Sequence, residues 1–210
     1  MSEVHEPIMR QDQIRIREGL IFLLVAPSGT GKSTIINRVI SEMGDLERIV
    51  TYTTRARRPT EVEGLEYHFV TTEEFERLKA AGELAEWKLI HGQQYGSSRR
   101  RLDIAIARGL DLIGPYDVLG SLDLTEKYPR NVATIFILPP SVEELRRRLI
   151  RRYGEDTDEG RVRLERLGME MGHAYSFKYV VSNVDLREAV RDVSGIVRAE
   201  RLLTARRPQT

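Results

Sequence analysis

Short apolar runs alternate along this chain with segments in which apolar residues recur every three or four positions. Residues 20–26 (LIFLLVA) and 132–138 (VATIFIL) are continuous apolar runs, typical of strands buried on both faces. Weaker runs of the same kind lie at 110–114 and 179–183. Helical spacing predicts further elements at about 97–108, 141–152, 160–172 and 186–203. The alternation predicts an α/β fold with helices on both faces of a parallel sheet.

The segment 50–96 has a different pattern from the rest of the chain. It contains short strand-like pieces such as YHFV at 67–70, one helical stretch at 72–82 and many turn residues. This pattern predicts a mostly β lobe inserted into the α/β frame. We expect the first 17 residues and about the last six to be mobile, as chain ends commonly are.

The first predicted strand leads into a candidate phosphate-binding loop. Residues 23–34 read LLVAPSGTGKST, which fits the end of the pattern G-x-x-x-x-G-K-[ST], although Ala26 replaces its first glycine. A helical pattern follows, and backbone N–H groups at a helix N-terminus bind phosphate, so strand, loop and helix together favour a working site. Lys32 would then reach the outer phosphates, and the Ser33 hydroxyl would bind Mg²⁺. The residues expected at the phosphates are Ala26, Pro27, Ser28, Gly29, Thr30, Gly31, Lys32 and Ser33.

Composition narrows the functional classes. The 210 residues favour one compact domain, and 33 basic against 32 acidic residues give no overall charge for binding nucleic acid or anionic membrane. Cysteine is absent, which excludes disulfides and thiolate metal sites. The N-terminus lacks the apolar core of a signal peptide, and no apolar run approaches the roughly 20 residues that cross a bilayer. We therefore expect a soluble, cytoplasmic protein.

Two stretches, TYTTRARRPTEVEGLEYHFV at 51–70 and ELAEWKLIHGQQYGSS at 83–98, resemble the GMP-binding lobe of guanylate kinases. The resemblance continues in order from about residue 19 to 203, through FILPPSVEELRRRL and VVSNVDL. It implies the P-loop nucleoside monophosphate kinase fold and ATP-dependent phosphorylation of GMP and dGMP, with Mg²⁺ required. The implied parts are a core (19–50 and 110–203), a GMP-binding lobe (about 51–100), a helical lid (about 146–166), and tails at 1–18 and 204–210.

The resemblance also assigns residues to GMP. The residues implied to hold its phosphate are hydrogen-bond donors: Arg55, Arg58, Tyr67 and Tyr95. The residues implied to contact the base or ribose are Thr51, Glu86, Ser97 and Asp117, with Asp117 also near the metal. The chemistry agrees, because a carboxylate such as Glu86 accepts both guanine donors, N1–H and N2–H₂, which adenine does not present together. Arginine forks and tyrosine hydroxyls suit a phosphate monoester.

Phosphoryl transfer needs positive charge on the migrating group, and an arginine-rich segment supplies it. Arg148 and Arg152 lie four residues apart on one predicted helix face, which Leu145 and Leu149 would anchor. The resemblance implies that Arg148, Arg152 and Arg163 close over ATP as a lid and act with Lys32 in catalysis. It also places Asn183 near the adenine. We expect solvent exposure for Arg147, Arg151 and Arg161.

The segment DLIGPYDVLGS at 111–121 departs from the family pattern of two acids, one residue apart, followed by Gln-Gly. Pro115 replaces the first acid and Leu119 replaces the glutamine, whereas Asp117 and Gly120 remain. Proline cannot organise Mg²⁺ water and also removes a backbone donor from the strand. Asp117 serving both guanine and metal, slow turnover, or a different acceptor would each be compatible with this change.

Two other functions remain compatible with the sequence. The first is a related kinase for another phosphorylated small molecule, such as ribose 1,5-bisphosphate, although the presence of Glu86 and Asp117 argues against it. The second is a guanylate kinase-like module that binds protein partners with weak or no catalysis, although the intact Lys32 argues against it. The sequence leaves the oligomeric state open.

Overall fold

The computed structural model describes residues 17–90, 92–154 and 157–203. Its strands are β1 (Ile21–Val25), β2 (Leu46–Arg48), β3 (Thr51–Thr53), β4 (Tyr67–Phe69), β5 (Leu84–Ile90), β6 (Gln93–Ser98), β7 (Asp111–Tyr116), β8 (Val132–Leu138) and β9 (Tyr179–Ser182). Its helices are α1 (Lys32–Met43), α2 (Thr72–Ala80), α3 (Arg99–Arg108), α4 (Val118–Lys127), α5 (Val142–Tyr153), α6 (Asp158–Gly172) and α7 (Leu186–Leu202), with a short 3-10 turn at Ala174–Ser176.

The main sheet has five parallel strands in the order β2-β7-β1-β8-β9. Alternate residues of β1 enter two separate cores. Phe22 and Leu24 lie in the core under α1 and α7, whereas Leu23 packs with α3 and α4 on the opposite face. All four apolar runs predicted as strands lie in this sheet, and the prediction of a sheet covered on both faces is confirmed.

The second sheet has four strands in the order β4-β3-β6-β5 and contains both parallel and antiparallel pairs. It has a small core of its own, in which Phe75 and Leu78 of α2 pack with Leu84 of β5. Because α2 is short and the remaining elements are strands, this part of the chain is mostly β, as its pattern predicts.

Some boundaries differ from the sequence predictions. The helix predicted from residue 97 begins at Arg99, because residues 97 and 98 complete β6 and the Ser98 hydroxyl accepts a hydrogen bond from the Arg101 N–H at 3.3 Å. The sequence pattern did not predict β2 or α4. The Asp117 carboxylate caps α4 by accepting the N–H groups of Leu119 and Gly120.

The mobility expected at the chain ends concerns residues 1–16 and 204–210, which lie outside the described residues. The expectation is wrong for Arg17, which donates two hydrogen bonds of 2.6 Å to the buried Asp111 carboxylate. Arg201 of α7 donates to the same carboxylate at 2.6 Å. This network joins α7 to the edge at which the parallel strands begin, opposite the loop that follows β1.

Candidate active site

The loop between β1 and α1 adopts the curled backbone that phosphate binding requires. Gly29 and Gly31 have φ angles of 85° and 98°, in the left-handed region that favours glycine. The Thr30 hydroxyl donates to the Pro27 carbonyl at 2.8 Å, and the Asn183 side chain donates to the Thr30 carbonyl at 2.8 Å. Asn183, which was predicted near the adenine, therefore lies against the loop, at the end of β9.

Ala26, which departs from the phosphate-loop pattern, lies close to Lys32, which fits it. Ala26 belongs to the apolar core under α1 and α7, so its methyl group has a packed environment. The Lys32 ammonium donates to the Ala26 carbonyl and, at 3.5 Å, to the Pro27 carbonyl. Burial lowers the pKa of Lys32 to about 8, against the opposing effect of the nearby Glu170 and Asp117 charges. The loop thus holds the Lys32 ammonium against its own carbonyl groups.

The donors predicted for Mg²⁺ are one hydroxyl and one carboxylate. Ser33 is exposed in the first turn of α1, and the Asp117 carboxylate lies at the start of α4. Among the described residues, no group of three or more His, Cys, Asp or Glu side chains could hold a metal ion. Oxygen donors in this number fit a cation such as Mg²⁺, which takes its other ligands from substrate phosphates and water.

Pro115 lies in β7, in register with Leu24 of β1. The Leu112 N–H donates to the Leu20 carbonyl on the β1 side at 2.8 Å. Backbone groups alternate in direction along a strand, so those of residues 113 and 115 point toward β2. The pairing of β2 with β7 ends at Ile113. Pro115 therefore lies beyond the last β2–β7 pair and leaves the pairing of β7 with β1 intact, and the chemical change at this position is the absence of a carboxylate.

The carboxylate predicted to read guanine is buried where β5 meets β6. A β-bulge between Leu84 and Glu86 makes three consecutive residues of β5 face inward and sets Glu86 opposite Ser97. The Ser97 hydroxyl donates to Glu86 Oε1 at 2.6 Å and lies 2.6 Å from the Tyr116 hydroxyl. Burial raises the pKa of Glu86 to about 7 despite the Ser97 hydrogen bond.

Three side chains converge on Gly120, in the first turn of α4. A methyl group added there would lie 3.1 Å from Asp117 Oδ2, 3.2 Å from Glu86 Oε2 and 3.6 Å from the Tyr116 ring. The carboxylates of Glu86 and Asp117 thus approach the same point, and the lack of a side chain at Gly120 leaves space between them. Thr51, predicted to contact the same base, is buried in β3.

The residues predicted to hold the GMP phosphate form a second, more open cluster. The Arg55 guanidinium lies 5.3 Å from the centre of the Tyr67 ring, which is 6.0 Å from the Tyr95 ring. Arg55 also pairs with Glu61 at 2.7 Å, while Glu61 accepts the Arg58 N–H at 2.8 Å. Burial alone raises the pKa of Glu61, but these hydrogen bonds hold it below its ordinary value.

Helices α5 and α6 form the segment predicted as a lid. Leu145 and Leu149 are buried against Leu167 of α6, so the prediction that they anchor α5 is confirmed. The exposure expected for Arg147, Arg151 and Arg161 is also confirmed. Arg148 and Arg152 belong to α5 and Arg163 belongs to α6, but their side chains lie outside the described part of the structure.

Sequence reasoning missed three residues that contact these clusters: Tyr116, Glu61 and Gly120 as a spacer between carboxylates. In the sequence, Tyr116 is indistinguishable from an ordinary apolar strand residue, and only the tertiary structure brings its hydroxyl to Ser97. Glu61 follows three arginines, and that charge pattern was an available signal for an ion pair. Gly120 stood out only as a retained position of the family pattern.

A family model described as guanylate kinase matches residues 19–200. The chain belongs to the guanylate kinase family. A guanylate kinase from Mesorhizobium japonicum is 42% identical over 192 residues, which cover 91% of this chain and 88% of the relative. One from Chelativorans is 43% identical over 193 residues, with the same coverage. A crystal structure of guanylate kinase from Anaplasma phagocytophilum has a TM-score of 0.77 at 34% identity, covering 91% of this chain and 90% of that one.

Membership of the guanylate kinase family confirms the predicted fold class, a P-loop kinase fold with a mostly parallel sheet flanked by helices. Within the described residues, no helix is both long and apolar enough to cross a membrane. The departures from the guanylate kinase pattern at Pro115 and Leu119 leave the pairing of β7 with β1 intact, since Pro115 is in register with Leu24 and Leu119 is exposed on α4.

Proposed function

We propose that this protein transfers the terminal phosphoryl group of ATP to GMP, giving ADP and GDP. The observation that carries the proposal is the buried Glu86 carboxylate of β5, hydrogen-bonded to Ser97 of β6, in the same four-stranded sheet that contains Tyr67 and Tyr95 of the Arg55 cluster. A buried carboxylate supports selection of guanine, and an arginine with two tyrosines supports binding of a phosphate monoester. One nucleotide that carries both groups is GMP.

ATP would bind at the loop between β1 and α1. Its backbone N–H groups and Lys32 would bind the phosphates, and the Lys32 ammonium would exchange its bonds to the Ala26 and Pro27 carbonyls for phosphate oxygens. Asn183 would keep the loop in place through its hydrogen bond to the Thr30 carbonyl. Arg148, Arg152 and Arg163, carried by α5 and α6, would cover the transferring group and exclude water.

The Ser33 hydroxyl and the Asp117 carboxylate would hold Mg²⁺ together with ATP phosphates. The metal would supply positive charge that the transferring phosphoryl group requires. Because Pro115 has no carboxylate, we expect an altered Mg²⁺ dependence. Titrating Mg²⁺ against rate for the wild type and Pro115→Asp tests this, and superimposable curves would contradict it.

We extend the acceptor range to dGMP, since the contacts described involve the base and the phosphate, which the two nucleotides share. We expect the reaction to occur in the cytoplasm, because GMP and ATP are charged metabolites that do not cross membranes unaided. The chain would need no other cofactor for this transfer.

The decisive experiment mixes the purified protein with Mg-ATP and, in turn, GMP, dGMP, AMP and ribose 1,5-bisphosphate, and follows ADP release. We expect ADP with GMP and dGMP, and at least a thousand-fold lower kcat/KM with AMP, because adenine leaves Glu86 unpaired. ADP release with ribose 1,5-bisphosphate alone would favour the sugar phosphate kinase. Binding of GMP without ADP release would favour a binding module. Lys32→Met is the control, since it removes the phosphate-binding cation and should abolish turnover.

A further inference from the structure

Tyr116 joins the two sheets at the place where guanine is expected to bind. It is the last residue of β7 in the main sheet, and its hydroxyl lies 2.6 Å from Ser97 Oγ in β6 of the second sheet. The family pattern described above leaves its position, between Pro115 and Asp117, open. Glu86, Ser97 and Tyr116 are all buried, with 6%, 0% and 7% of their surfaces exposed. Their hydrogen bonds are therefore not exchanged freely with water.

The direction of these hydrogen bonds follows from the number of protons. A serine hydroxyl has one proton, and Ser97 donates it to Glu86 Oε1 at 2.6 Å when that carboxylate is ionised. Ser97 Oγ must then accept at its other contact, so the Tyr116 hydroxyl donates. The result is a relay from Tyr116 to Ser97 to Glu86 in which each proton points toward the carboxylate, and such chains strengthen their members.

We propose that Tyr116 is a positioning residue for guanine recognition, which acts through Ser97 to hold the Glu86 carboxylate oriented toward the base. The inference rests on the proposed function, and it names a residue of this chain that sets the specificity of that site. Without the Tyr116 hydroxyl, Ser97 Oγ loses a buried donor, and its own proton is less firmly directed at Glu86.

The charges around Glu86 show why this support matters. Asp117 at the start of α4 and Asp123 further along it both oppose ionisation of Glu86, and Lys88 of β5 favours it. Lys88 is itself paired with Asp123 at 2.7 Å. With two carboxylates near Glu86 and its nearby cation already engaged, the hydrogen bond from Ser97 is the largest influence that lowers the pKa of Glu86. We therefore assign Tyr116 a functional role beyond packing.

Tyr116→Phe tests the proposal because it removes the hydroxyl and keeps the ring. We expect the KM for GMP to rise about tenfold at pH 7, the effect of one lost buried hydrogen bond, while kcat and the KM for ATP change less than about twofold. We also expect the acid midpoint of kcat/KM for GMP to move upward, since weaker donation disfavours the ionised carboxylate. Tyr128→Phe is the matched control, because that hydroxyl bonds to Asp103 at 2.8 Å, on α3.

A double-mutant cycle separates positioning through Ser97 from any other effect. In a Ser97→Ala background, Tyr116→Phe should add less than about twofold to the KM for GMP, because the relay is already broken. A full additional effect, or an unchanged KM and pH midpoint in Tyr116→Phe, would overturn the proposal. Thermal unfolding of each variant identifies any loss of the fold itself.

Calorimetric binding of GMP separates this inference from the proposed function. A wild type that binds GMP but releases no ADP would contradict the kinase proposal, and the Kd values of the variants would still decide the role of Tyr116. A wild type that turns over GMP, with Tyr116→Phe equal to it in Kd, KM and pH profile, would overturn the inference alone. A wild type that fails to bind GMP would overturn both.

Discussion

The two ends of the candidate GMP site differ in how they meet their ligand. At the base end, Glu86 is buried and accepts a hydrogen bond from the Ser97 hydroxyl. At the phosphate end, Arg55 and Arg58 lie on a loop and are engaged by the carboxylate of Glu61. If GMP binds as proposed, the carboxylate at the base end is in place before guanine arrives, whereas phosphate has to displace Glu61 from Arg55 at the other end.

This difference implies different origins for specificity and for affinity. A rigid, buried carboxylate rejects bases that cannot satisfy it, because an unpaired buried charge is costly. A loop arginine paired with an internal carboxylate has to exchange one anion for another, so its net contribution to binding is smaller. We expect changes at the base end to have the larger effects.

The largest effect is expected for Glu86→Gln. The amide keeps one acceptor but presents N–H groups to guanine donors, so kcat/KM for GMP should fall about a thousand-fold.

The same substitution should change stability. The pKa of Glu86 is raised from 4.5 to about 7 in the folded protein, so its ionisation lowers the free energy of unfolding as pH rises through that window. At pH 8 the free energy of unfolding of Glu86→Gln should therefore exceed that of the wild type by up to about 3 kcal/mol. Steady-state kinetics and urea unfolding measure both; a variant that is less active and also less stable would contradict this account.

The second effect is a pH dependence that separates the two substrates. The ionised form of Glu86 accepts guanine donors, so kcat/KM for GMP should fall about tenfold per pH unit below its pKa of about 7. Lys32 must be protonated to bind phosphate, so kcat/KM for ATP should fall as pH rises above its pKa of about 8. Profiles measured for each substrate in turn test this, and a common acid limb for both substrates would refute it.

A smaller effect is expected for Gly120→Ala. The added methyl would lie 3.1 and 3.2 Å from the two carboxylates and push them apart, so kcat/KM for GMP should fall about tenfold. Gly195→Ala in α7 is the control, because its methyl meets no atom within 4 Å and should raise stability by about 0.5–1 kcal/mol. Kinetics and thermal unfolding of both variants provide the comparison; equal kinetics would show that Gly120 is not a spacer.

The smallest effect is expected at the phosphate end, for Glu61→Gln. Removing the internal anion should lower the KM for GMP about threefold at low ionic strength, and the difference should shrink as salt screens the charges. Glu63→Gln is the control, since Glu63 is a carboxylate of the same loop whose partners are the His68 ring, at 2.9 Å, and the Phe69 N–H in β4. A higher KM would show that Glu61 orients Arg55 instead of competing with phosphate.

The fold was predictable from the sequence wherever local pattern and tertiary burial agree. The apolar run at 132–138 coincides with β8, because a central parallel strand is buried on both faces and needs no polar position. The three-residue strand β2 was missed because such a short piece has no detectable period. Helix α4 was missed because its start contains Gly120 and Ser121, which have weak helix propensity, and its stability comes from the Asp117 cap.

The site was predictable only in part. The phosphate loop has a local pattern, and the resemblance supplied the expected roles of Glu86 and Arg55, which remain predictions. The relay through Tyr116 depends on the bulge between Leu84 and Glu86 and on the meeting of two sheets. The bulge and the contact between the sheets produce no periodic pattern in the sequence, because residues far apart along the chain form them.

Gly29 carries two constraints at once. Its φ angle of 85° suits glycine, and a methyl group there would lie 3.2 Å from Leu145 Cδ1, at the buried base of α5. The phosphate loop and α5 therefore approach so closely at Gly29 that a side chain there would press against Leu145. If phosphate binding shifts the loop at Gly29, α5 has to move with it, so we expect nucleotide binding to reach the arginine-bearing helix through this contact.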